Sequence, residues 1–366
     1  MMRRKWIAGT LVILFIVAIG TAVFARGSLS FLSGFGQETK TESKETAFYS
    51  QTYFIFDTVV NVKLYGEHAK PSQLEYIKDL MEDMDQKLSR TLETSEIYRV
   101  NQAAGKQAVR VSQDTFDVVQ TALDYAVDTG GLYDPTVGPL ISLWNIGNEG
   151  AHIPSEPELN KAVHLIGYKD VEINSKERTI KLLRPGMALD LGGIGKEYTA
   201  DRIAAYLNSQ QVDSAIINLG GSSIIALGSK PDGQSWNIGL QDPDKAREEV
   251  LGRVLIKNKT IDSSGVYERF FIENGVRYHH IMDPRTGYPS RSGLKSVTII
   301  CDSMSNDAPS STAVFIMGLE EGIKVIKQHL GVEALFITED NQIYMTPGLK
   351  EQIRFNNPNY TVKTID

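Results

Sequence analysis

The sharpest chemical signal in this sequence is a histidine followed closely by a carboxylate and an arginine. His280 stands shortly before Asp283, which opens the run Asp-Pro-Arg-Thr-Gly. A histidine is the side chain best suited to move protons near neutral pH, and a nearby carboxylate can orient its ring. Arg285 offers paired donors to an anionic oxygen. The alternative is a purely structural hairpin turn beside a satisfied histidine, which is the commoner case for an isolated motif.

A glycine-rich loop within residues 189–207 offers a second kind of chemistry. Strand-like residues lead through three glycines into a predicted helix that carries Lys196 in its first turn. The free N–H groups at a helix start, the helix dipole and a lysine together favour a phosphate. The loop matches neither a Walker loop nor a complete GxGxxG pattern, so a simple strand-to-helix turn is an equal alternative.

Hard-oxygen ligands cluster at the start of another predicted helix. Asp307, Ser311 and Thr312 supply one carboxylate and two hydroxyls, a set suited to Mg²⁺. Because Asp and Ser are also common helix N-caps, capping is the simpler explanation of this segment by itself.

A further loop, residues 130–140, combines glycines with aromatic residues. The glycines allow close approach of a ligand, and Tyr133 and Trp144 can stack on a flat ring. A helix end followed by a proline-rich turn with core aromatics is the simpler alternative.

These segments need a scaffold, and the apolar pattern predicts an α+β one. Helical spacing predicts helices over 71–88, 112–128, 196–209 and 309–329. Runs of β-branched and aromatic residues predict strands over 53–65, 214–219, 223–228, 253–257, 295–301, 333–338 and 342–346. Because strands and helices alternate irregularly, we expect a single layered domain of mixed or antiparallel sheets flanked by helices, rather than a parallel Rossmann sheet.

Composition excludes several classes of protein. The net charge is −7, and no basic stretch occurs away from the N-terminus. Broad nucleic-acid binding is therefore not expected, because it needs a clustered positive surface. Cys301 is the single cysteine of the sequence, so neither an internal disulfide nor a cysteine-built metal site is expected.

The N-terminus has the layout of an export signal. Three basic residues precede an uncharged apolar run that ends at Ala25. We interpret residues 1–25 as a signal peptide or membrane anchor, 26–50 as a flexible tether rich in Gly, Ser, Thr, Lys and Glu, and 51–366 as the folded domain. The domain is therefore expected outside the cytoplasm, either held at the cell membrane or secreted.

Taken together and in order, the motifs resemble the ApbE family, the FAD:protein FMN transferases. The resemblance covers about residues 54–347 and rests on the segments YDPTVGPL, DLGGIGK, NLGG, SSGVYERFF, HIMDPRTGYP and STAVFIMG. It implies an ApbE-like (T-fold-like) α+β domain that uses FAD as a substrate together with Mg²⁺. It also implies transfer of the FMN moiety to a Thr, or sometimes Ser, hydroxyl of another protein, with release of AMP.

The resemblance also implies roles for individual residues. His280 is the implied base, assisted by Asp307. The implied metal ligands are Gly195, through its carbonyl, with Asp307, Ser311 and Thr312. The implied FAD site comprises Phe56, Gly131, Leu132, Tyr133, Asp134, Asp190, Lys196, Asp283, Arg285, Thr286 and Gly287. Because of the export signal, we expect the acceptor to be an exported or membrane-bound protein.

Three positions depart from the family pattern. The family places its metal-binding Asp four residues before a Thr, whereas Ala308 holds that position relative to Thr312; Asp307 stands four residues before Ser311 instead. Glu197 follows the lysine where relatives commonly have Gly. The family's early Met-Gly-Thr is Phe-Asp-Thr at residues 56–58, so we expect a different flavin wall there.

Other functions compete with transfer to a protein. A Mg²⁺-dependent FAD pyrophosphatase would use the same site with water as the acceptor. A non-catalytic flavin-binding protein of the cell surface would need a flavin-binding cavity but no catalytic groups. An exported carbohydrate-binding or adhesion module would have no need for the ordered DPRTG and DLGGIGK segments.

Overall fold

A long mixed sheet brings segments that are distant in sequence side by side. The protein is described by a computed structural model over residues 48–246, 249–302 and 308–365. Within these residues the sheet has nine strands, in the spatial order β1 (Phe48–Ile55), β2 (Thr58–Tyr65), β6 (Ser214–Leu219), β7 (Ser223–Gly228), β10 (Lys259–Gly265), β13 (Leu294–Cys301), β14 (Glu333–Thr338), β15 (Gln342–Met345) and β17 (Thr361–Thr364). Neighbours pair antiparallel except β15 and β17, which are parallel.

Smaller sheets and a hairpin attach to this framework. One three-stranded sheet contains β3 (Val109–Arg110), β5 (Thr179–Leu182) and β4 (Val171–Asn174). Another contains β16 (Ile353–Phe355), β9 (Val250–Ile256) and β8 (Trp236–Gln241). The hairpin pairs β11 (Phe270–Glu273) with β12 (Val276–His279).

The helices follow the predicted apolar periodicity closely. The described residues contain α1 (Pro71–Leu88), α2 (Glu96–Gln102), α3 (Gln113–Asp128), α4 (Gly138–Trp144), α5 (Glu156–Val163), α6 (Gly195–Ser209) and α7 (Ser311–Gln328). Ser112 caps α3, because its hydroxyl accepts a hydrogen bond from the Thr115 N–H. Helix α7 is kinked at Gly318, whose φ of 81° lies in the left-handed region that glycine tolerates best.

Helices cover one face of the large sheet. Helices α1 and α6 bury Ile77, Met81 and Ile203 against β2 and β6, which contribute Val62 and Ile217. Further along the sheet, α7 packs on β13 and β14 in the same manner. Side chains alternate along each strand, so the opposite face is also apolar and must be covered.

The three-stranded sheet β16-β9-β8 covers that opposite face. Ile224 on β7 and Ile261 on β10 contact its residues Ile238 and Val254. The adjacent residue Ile225 belongs instead to the helix-covered cluster, which shows the two-residue period of a strand buried on both sides. The expectation of an α+β domain with mixed sheets flanked by helices is therefore confirmed.

One expected strand is in fact two. Residues 53–65 were expected to form a single strand, but β1 and β2 form a hairpin in which Ile55 pairs with Thr58. The two turn residues, Phe56 and Asp57, both have positive φ, at 58° and 54°. Such a tight turn usually contains Asn-Gly or Asp-Gly, and the absence of glycine at 56–57 concealed it. The first strand begins at Phe48, slightly before the expected start of the domain.

Several expectations fall outside the described residues. These are the export signal over 1–25, most of the tether and the carboxylate of Asp307. Within the described ranges, no helix has both the length and the apolar character needed to cross a membrane.

Packing of α1 on the sheet predicts a large stability effect at Ile77, whose side chain is fully buried. Ile77→Ala is expected to lower the free energy of unfolding by about 2–5 kcal/mol, because it removes buried methylenes and leaves a cavity. Urea unfolding measures this change. Asp79→Ala, on the exposed side of the same helix, is the control and should stay within about 0.5 kcal/mol of the wild type. Equal effects of the two substitutions would contradict the described packing.

Candidate active site

A cavity of ≈570 Å³ collects residues from most of the motifs described above. Its wall includes the tip of the β1–β2 hairpin, the end of α1, the loop before α4, the start of α6, β10, the end of β12 and the start of α7. The predicted site residues that line it are Phe56, Leu132, Tyr133, Asp134, Asp190, Gly195, Lys196, His280, Ser311 and Thr312. The fold thus joins loops that the sequence left far apart.

Hydrogen bonds and an ion pair at Asp190 hold the loop before α6 in place. Asp190 accepts a hydrogen bond from the Gly192 N–H at 2.9 Å and pairs with Arg90, whose Nε lies 2.8 Å from Oδ2. The Asp190 N–H donates to the Pro135 carbonyl at 2.8 Å. Arg90 also lines the cavity, and sequence reasoning missed it as a site residue. The segment 85–101, which contains Arg90, also resembles the family's sequence, and this resemblance was the available signal.

The start of α6 presents a cationic group to the cavity. Lys196, in the first helical turn, donates from Nζ to the Ser222 hydroxyl. The Gly195 carbonyl accepts a hydrogen bond from the Thr199 hydroxyl at 2.7 Å, so a metal at this carbonyl would share it with that group. A helix N-terminus beside a lysine favours a bound phosphate.

Hydroxyl groups converge where α7 begins. The Ser264 hydroxyl lies 2.8 Å from that of Ser311 and 3.2 Å from that of Thr312. Capping of α7 is performed by Ser310, whose hydroxyl accepts from the Ala313 N–H at 3.5 Å. The hydroxyls of Ser311 and Thr312 therefore do not cap the helix, and both residues line the cavity.

Few carboxylates among the described residues are available to bind a metal ion in this region. Asp307 lies outside the described residues, so its position relative to Ser311 and Thr312 is not part of this geometry. Among the described residues, no group of three or more His, Cys, Asp or Glu side chains is placed to hold a metal ion. Oxygen ligands here would therefore include hydroxyls and backbone carbonyls.

The two adjacent histidines have different environments. His279 is buried in the core, where its Nε2 lies 2.9 Å from the Ser290 carbonyl and its ring contacts Phe315 edge-on. His280 lines the cavity, and its Nδ1 lies 3.3 Å from the Arg269 carbonyl. A proton on Nδ1 satisfies that carbonyl and leaves Nε2 with a free lone pair.

Electrostatics keep the cavity histidine neutral. Removal from water lowers the pKa of His280 below its ordinary value, and the nearby His279, Arg269 and Lys196 lower this pKa further. A neutral imidazole at neutral pH is the form that can accept a proton.

Of the aromatic residues considered for the site, two line the cavity and one belongs to the core. Phe56 at the hairpin tip and the largely buried Tyr133 line the cavity. The Tyr133 hydroxyl is buried and has no hydrogen-bond partner among the residues that the structure describes. Burial raises the pKa of this phenol well above its ordinary value. Trp144 is fully buried, stacks on Tyr278 and donates from its indole nitrogen to the Gly287 carbonyl at 2.7 Å. For Trp144 the simpler alternative, a core aromatic, is the one observed.

The Asp-Pro-Arg-Thr-Gly turn closes on itself. Asp283 accepts from the Arg285 backbone N–H at 2.9 Å and from its guanidinium at 2.7 Å. Gly287 has a φ of 75°, and a Cβ there would lie 2.8 Å from a methyl group of Val163. The turn meets the cavity through Pro284, whereas the predicted Asp283, Arg285, Thr286 and Gly287 lie outside its wall.

The loop that follows α3 enters the cavity only in part. Gly131, with a φ of 85°, ends α3 by donating from its N–H to the Ala126 carbonyl at 2.8 Å, and it is not in the cavity wall. Asp134 does line the cavity, but its carboxylate accepts from the Thr136 hydroxyl at 2.6 Å and the Tyr168 N–H at 3.0 Å. These bonds fix the loop that presents Leu132 and Tyr133.

Several acidic residues of the cavity were not identified from the sequence as site residues. Asp57, Asp85, Glu197, Asp262 and Glu268 all contribute to its wall. Glu197 and Asp57 carried a signal, because both lie at positions that depart from the family pattern.

Comparison with known proteins agrees with these features. The model of the ApbE family matches residues 56–336. An FAD:protein FMN transferase from Treponema pallidum is 32% identical over 322 residues, covering 84% of this chain and 89% of the relative. One from Klebsiella pneumoniae is 33% identical over 310 residues, covering 84% and 94%.

Solved structures show the same fold. The ApbE protein from Thermotoga maritima superposes with a TM-score of 0.76 at 32% identity, covering 84% of this chain and all of that one. The flavin transferase ApbE from Vibrio cholerae gives a TM-score of 0.74 at 27% identity, covering 84% and 99%. With a family model that matches most of the chain and relatives that share its length and fold, this protein belongs to the ApbE family.

Proposed function

We propose that this protein transfers the FMN moiety of FAD to a threonine or serine hydroxyl of an exported acceptor protein and releases AMP, in a Mg²⁺-dependent reaction. The observation that carries the proposal is the single cavity of ≈570 Å³ that joins Lys196 at a helix start, the hydroxyls of Ser311 and Thr312, and His280. Phosphoryl-type transfer requires positioning, charge neutralisation and removal of a hydroxyl proton. Each requirement has a group in this wall.

The flavin and phosphate ends of FAD suit different parts of the wall. Phe56, Leu132 and Tyr133 supply apolar and aromatic surface for the isoalloxazine ring. The N-terminus of α6 and Lys196 supply donors and positive charge for the pyrophosphate. Arg90 adds a second cationic group, which Asp190 holds in place.

Magnesium would be held by Asp307 with Ser311, Thr312 and the Gly195 carbonyl. The described part of this set fits a hard cation, because Ser311 and Thr312 present hydroxyls beside Ser264 rather than capping their helix. When bound, the ion supplies charge neutralisation on the phosphate oxygens.

His280 is assigned to proton removal. Its Nε2 accepts the proton of the acceptor hydroxyl as the hydroxyl oxygen forms a bond to the phosphorus of the FMN moiety. The bond from that phosphorus to the bridging oxygen breaks, and AMP carries that oxygen away. Contact with the Arg269 carbonyl holds the ring in the tautomer that this step needs.

An exported acceptor follows from the N-terminal sequence. Residues 1–25 have the composition of a signal peptide or membrane anchor, so the domain and its acceptor would meet outside the cytoplasm. The proposed location is the outer side of the cell membrane or the secreted fraction.

The transfer itself is tested by mass spectrometry of an acceptor. The full chain is incubated with FAD, Mg²⁺ and a protein bearing a modifiable threonine, and the acceptor is expected to gain the mass of one FMN moiety. A chelator should abolish the gain. Release of free FMN and AMP with an unmodified acceptor would identify the pyrophosphatase instead, and intact bound FAD would identify a flavin-binding protein.

Removal of the proposed base should separate binding from chemistry. His280→Ala is expected to bind FAD while lowering the transfer rate by about 10²–10⁴-fold, the usual contribution of a positioned base. Flavin fluorescence measures binding and acceptor mass measures rate. His279→Ala does not serve as a control, because His279 is buried in the core. His68→Ala, which changes an exposed histidine outside the cavity wall, should leave FAD binding near the wild-type value. Full activity of His280→Ala would exclude it as the base.

The pH profile follows from the lowered pKa of His280. A base works in its unprotonated form, and a pKa below the ordinary 6.5 keeps His280 unprotonated down to lower pH. The single-turnover transfer rate is therefore expected to stay level from neutral pH to below pH 6.5 before it falls. An acid limb centred at or above that value would contradict the environment described for His280.

A further inference from the structure

His280, the proposed base, lies between two segments that need support from elsewhere in the fold. It directly follows β12, and the turn at residues 283–287 comes after it in the chain. Among the described residues, the hairpin of β11 and β12 is a two-stranded sheet separate from the others. A two-stranded hairpin alone is marginally stable at best. The position of His280 therefore depends on what packs against the hairpin and the turn.

One face of the hairpin packs on Trp144 of α4. Phe271 and Tyr278 lie opposite each other in the hairpin, and their rings stack with centroids 5.2 Å apart. The Tyr278 ring also stacks on the Trp144 indole, with centroids 5.6 Å apart. Stacked rings of this size bury a large apolar area and have a preferred geometry. The three rings thus join α4 to the chain just before His280.

The same indole contacts the turn that follows His280. Its nitrogen donates a buried hydrogen bond of 2.7 Å to the Gly287 carbonyl. The turn lies close to the helices at this point, because a Cβ at Gly287 would be 2.8 Å from Val163 and 3.5 Å from Leu140. Trp144 therefore contacts the chain on both sides of His280.

Helix α4 also contributes to the cavity that His280 faces. Ile141 of this helix lines the cavity together with His280. The His280 backbone N–H donates to the Arg269 carbonyl at 3.1 Å, and Nδ1 of the same residue lies 3.3 Å from that carbonyl. The direction of the imidazole thus follows the backbone of the hairpin. Contacts between the hairpin and α4 consequently set the place of the ring relative to the cavity wall.

We propose that Trp144 is a positioning residue, which holds His280 at the cavity by contacting the segments before and after it. Trp144 is fully buried and does not line the cavity, so it acts through His280 rather than on a substrate. This inference rests on the proposed function, in which His280 removes the proton of the acceptor hydroxyl. It gives the indole a role other than the flavin stacking considered from the sequence.

Trp144→Phe tests the proposal in the full chain with FAD, Mg²⁺ and the acceptor. Phenylalanine keeps a ring beside Tyr278 but removes the indole N–H, so the Gly287 carbonyl loses its donor. The single-turnover transfer rate is expected to fall by about 10–100-fold, because a small misplacement of a catalytic group has an effect of this size. The Kd for FAD, measured by flavin fluorescence, should stay near the wild-type value. An unchanged transfer rate would overturn the proposal.

Trp236→Phe is the matched control. Trp236 is also buried, and its indole nitrogen donates to the Leu227 carbonyl at 3.3 Å. It belongs to the apolar cluster between the large sheet and β16-β9-β8, outside the cavity wall. This variant loses the same kind of hydrogen bond but should transfer FMN at the wild-type rate. An equal fall in rate for the two tryptophan variants would assign the effect to general loss of packing and overturn the proposal.

Two further variants separate positioning from other effects. Tyr278→Leu removes the ring stack from the hairpin side, so it should lower the transfer rate in the same way even if Trp144→Phe folds poorly. In a chain that already carries His280→Ala, Trp144→Phe should lower the rate no further, because a residue that acts through His280 then has nothing to position. A further fall as large as that in the single variant would contradict this coupling.

Amide hydrogen exchange tests the contact without FAD, Mg²⁺ or acceptor. Residues 278–290 should exchange faster in Trp144→Phe than in the wild type or in Trp236→Phe, because the segment loses a contact that closes it. Unchanged exchange in this segment would overturn the proposal. Since this measurement requires no transfer, a wild type that transfers no FMN would count against the proposed function, and the support of the His280 segment by Trp144 would still be tested.

Discussion

The active-site cavity depends on how the backbone at Leu189 and Asp190 is held before α6 begins. Asn101 binds Leu189 twice, accepting from its N–H at 2.7 Å and donating to its carbonyl at 3.0 Å, as a neighbouring strand would. Arg90 pairs with the Asp190 carboxylate, and the Pro135 carbonyl receives the Asp190 N–H. These contacts come from three separate segments. Together they orient the start of α6 so that Lys196 lines the cavity.

The sheet then places the other groups around this helix start. Strand β10 lies between β7 and β13, so Ser264 on β10 faces the first residues of α7. Helix α7 is fixed in turn by an apolar cluster that contains Phe315 of the helix and Phe336 of β14. The β11–β12 hairpin carries His280 at its base. A cavity built in this way requires the large sheet to be complete, because its walls come from strands that are not consecutive in sequence.

Local patterns predicted the elements better than the wall of the cavity. The spacing of apolar residues gave α1, α3, β6 and β7 close to their observed bounds, since burial on one face imposes a period that a sequence records. The turn at Phe56 and Asp57 was not predicted. Both residues have positive φ, but neither is a glycine, the residue type that usually indicates this backbone conformation in a sequence. The loop of Asp283 was expected in the cavity, yet Arg285 folds back onto that carboxylate. The contact between Asp262 and Glu197 could not be predicted either, because contact between distant strands and helices follows only from the complete topology.

The charge balance of the cavity bears on how it could accept a substrate that carries phosphate groups. Of its described lining residues, seven are acidic and three are basic. The acidic ones are Asp57, Asp85, Asp134, Asp190, Glu197, Asp262 and Glu268, and the basic ones are Arg90, Lys196 and Arg269. Burial raises the pKa values of Asp85, Asp134 and Glu197. A pyrophosphate would still enter an acidic site. Three basic side chains do not outnumber these carboxylates, so a phosphorylated flavin would need a further source of positive charge, which is the role that the proposed Mg²⁺ would fill.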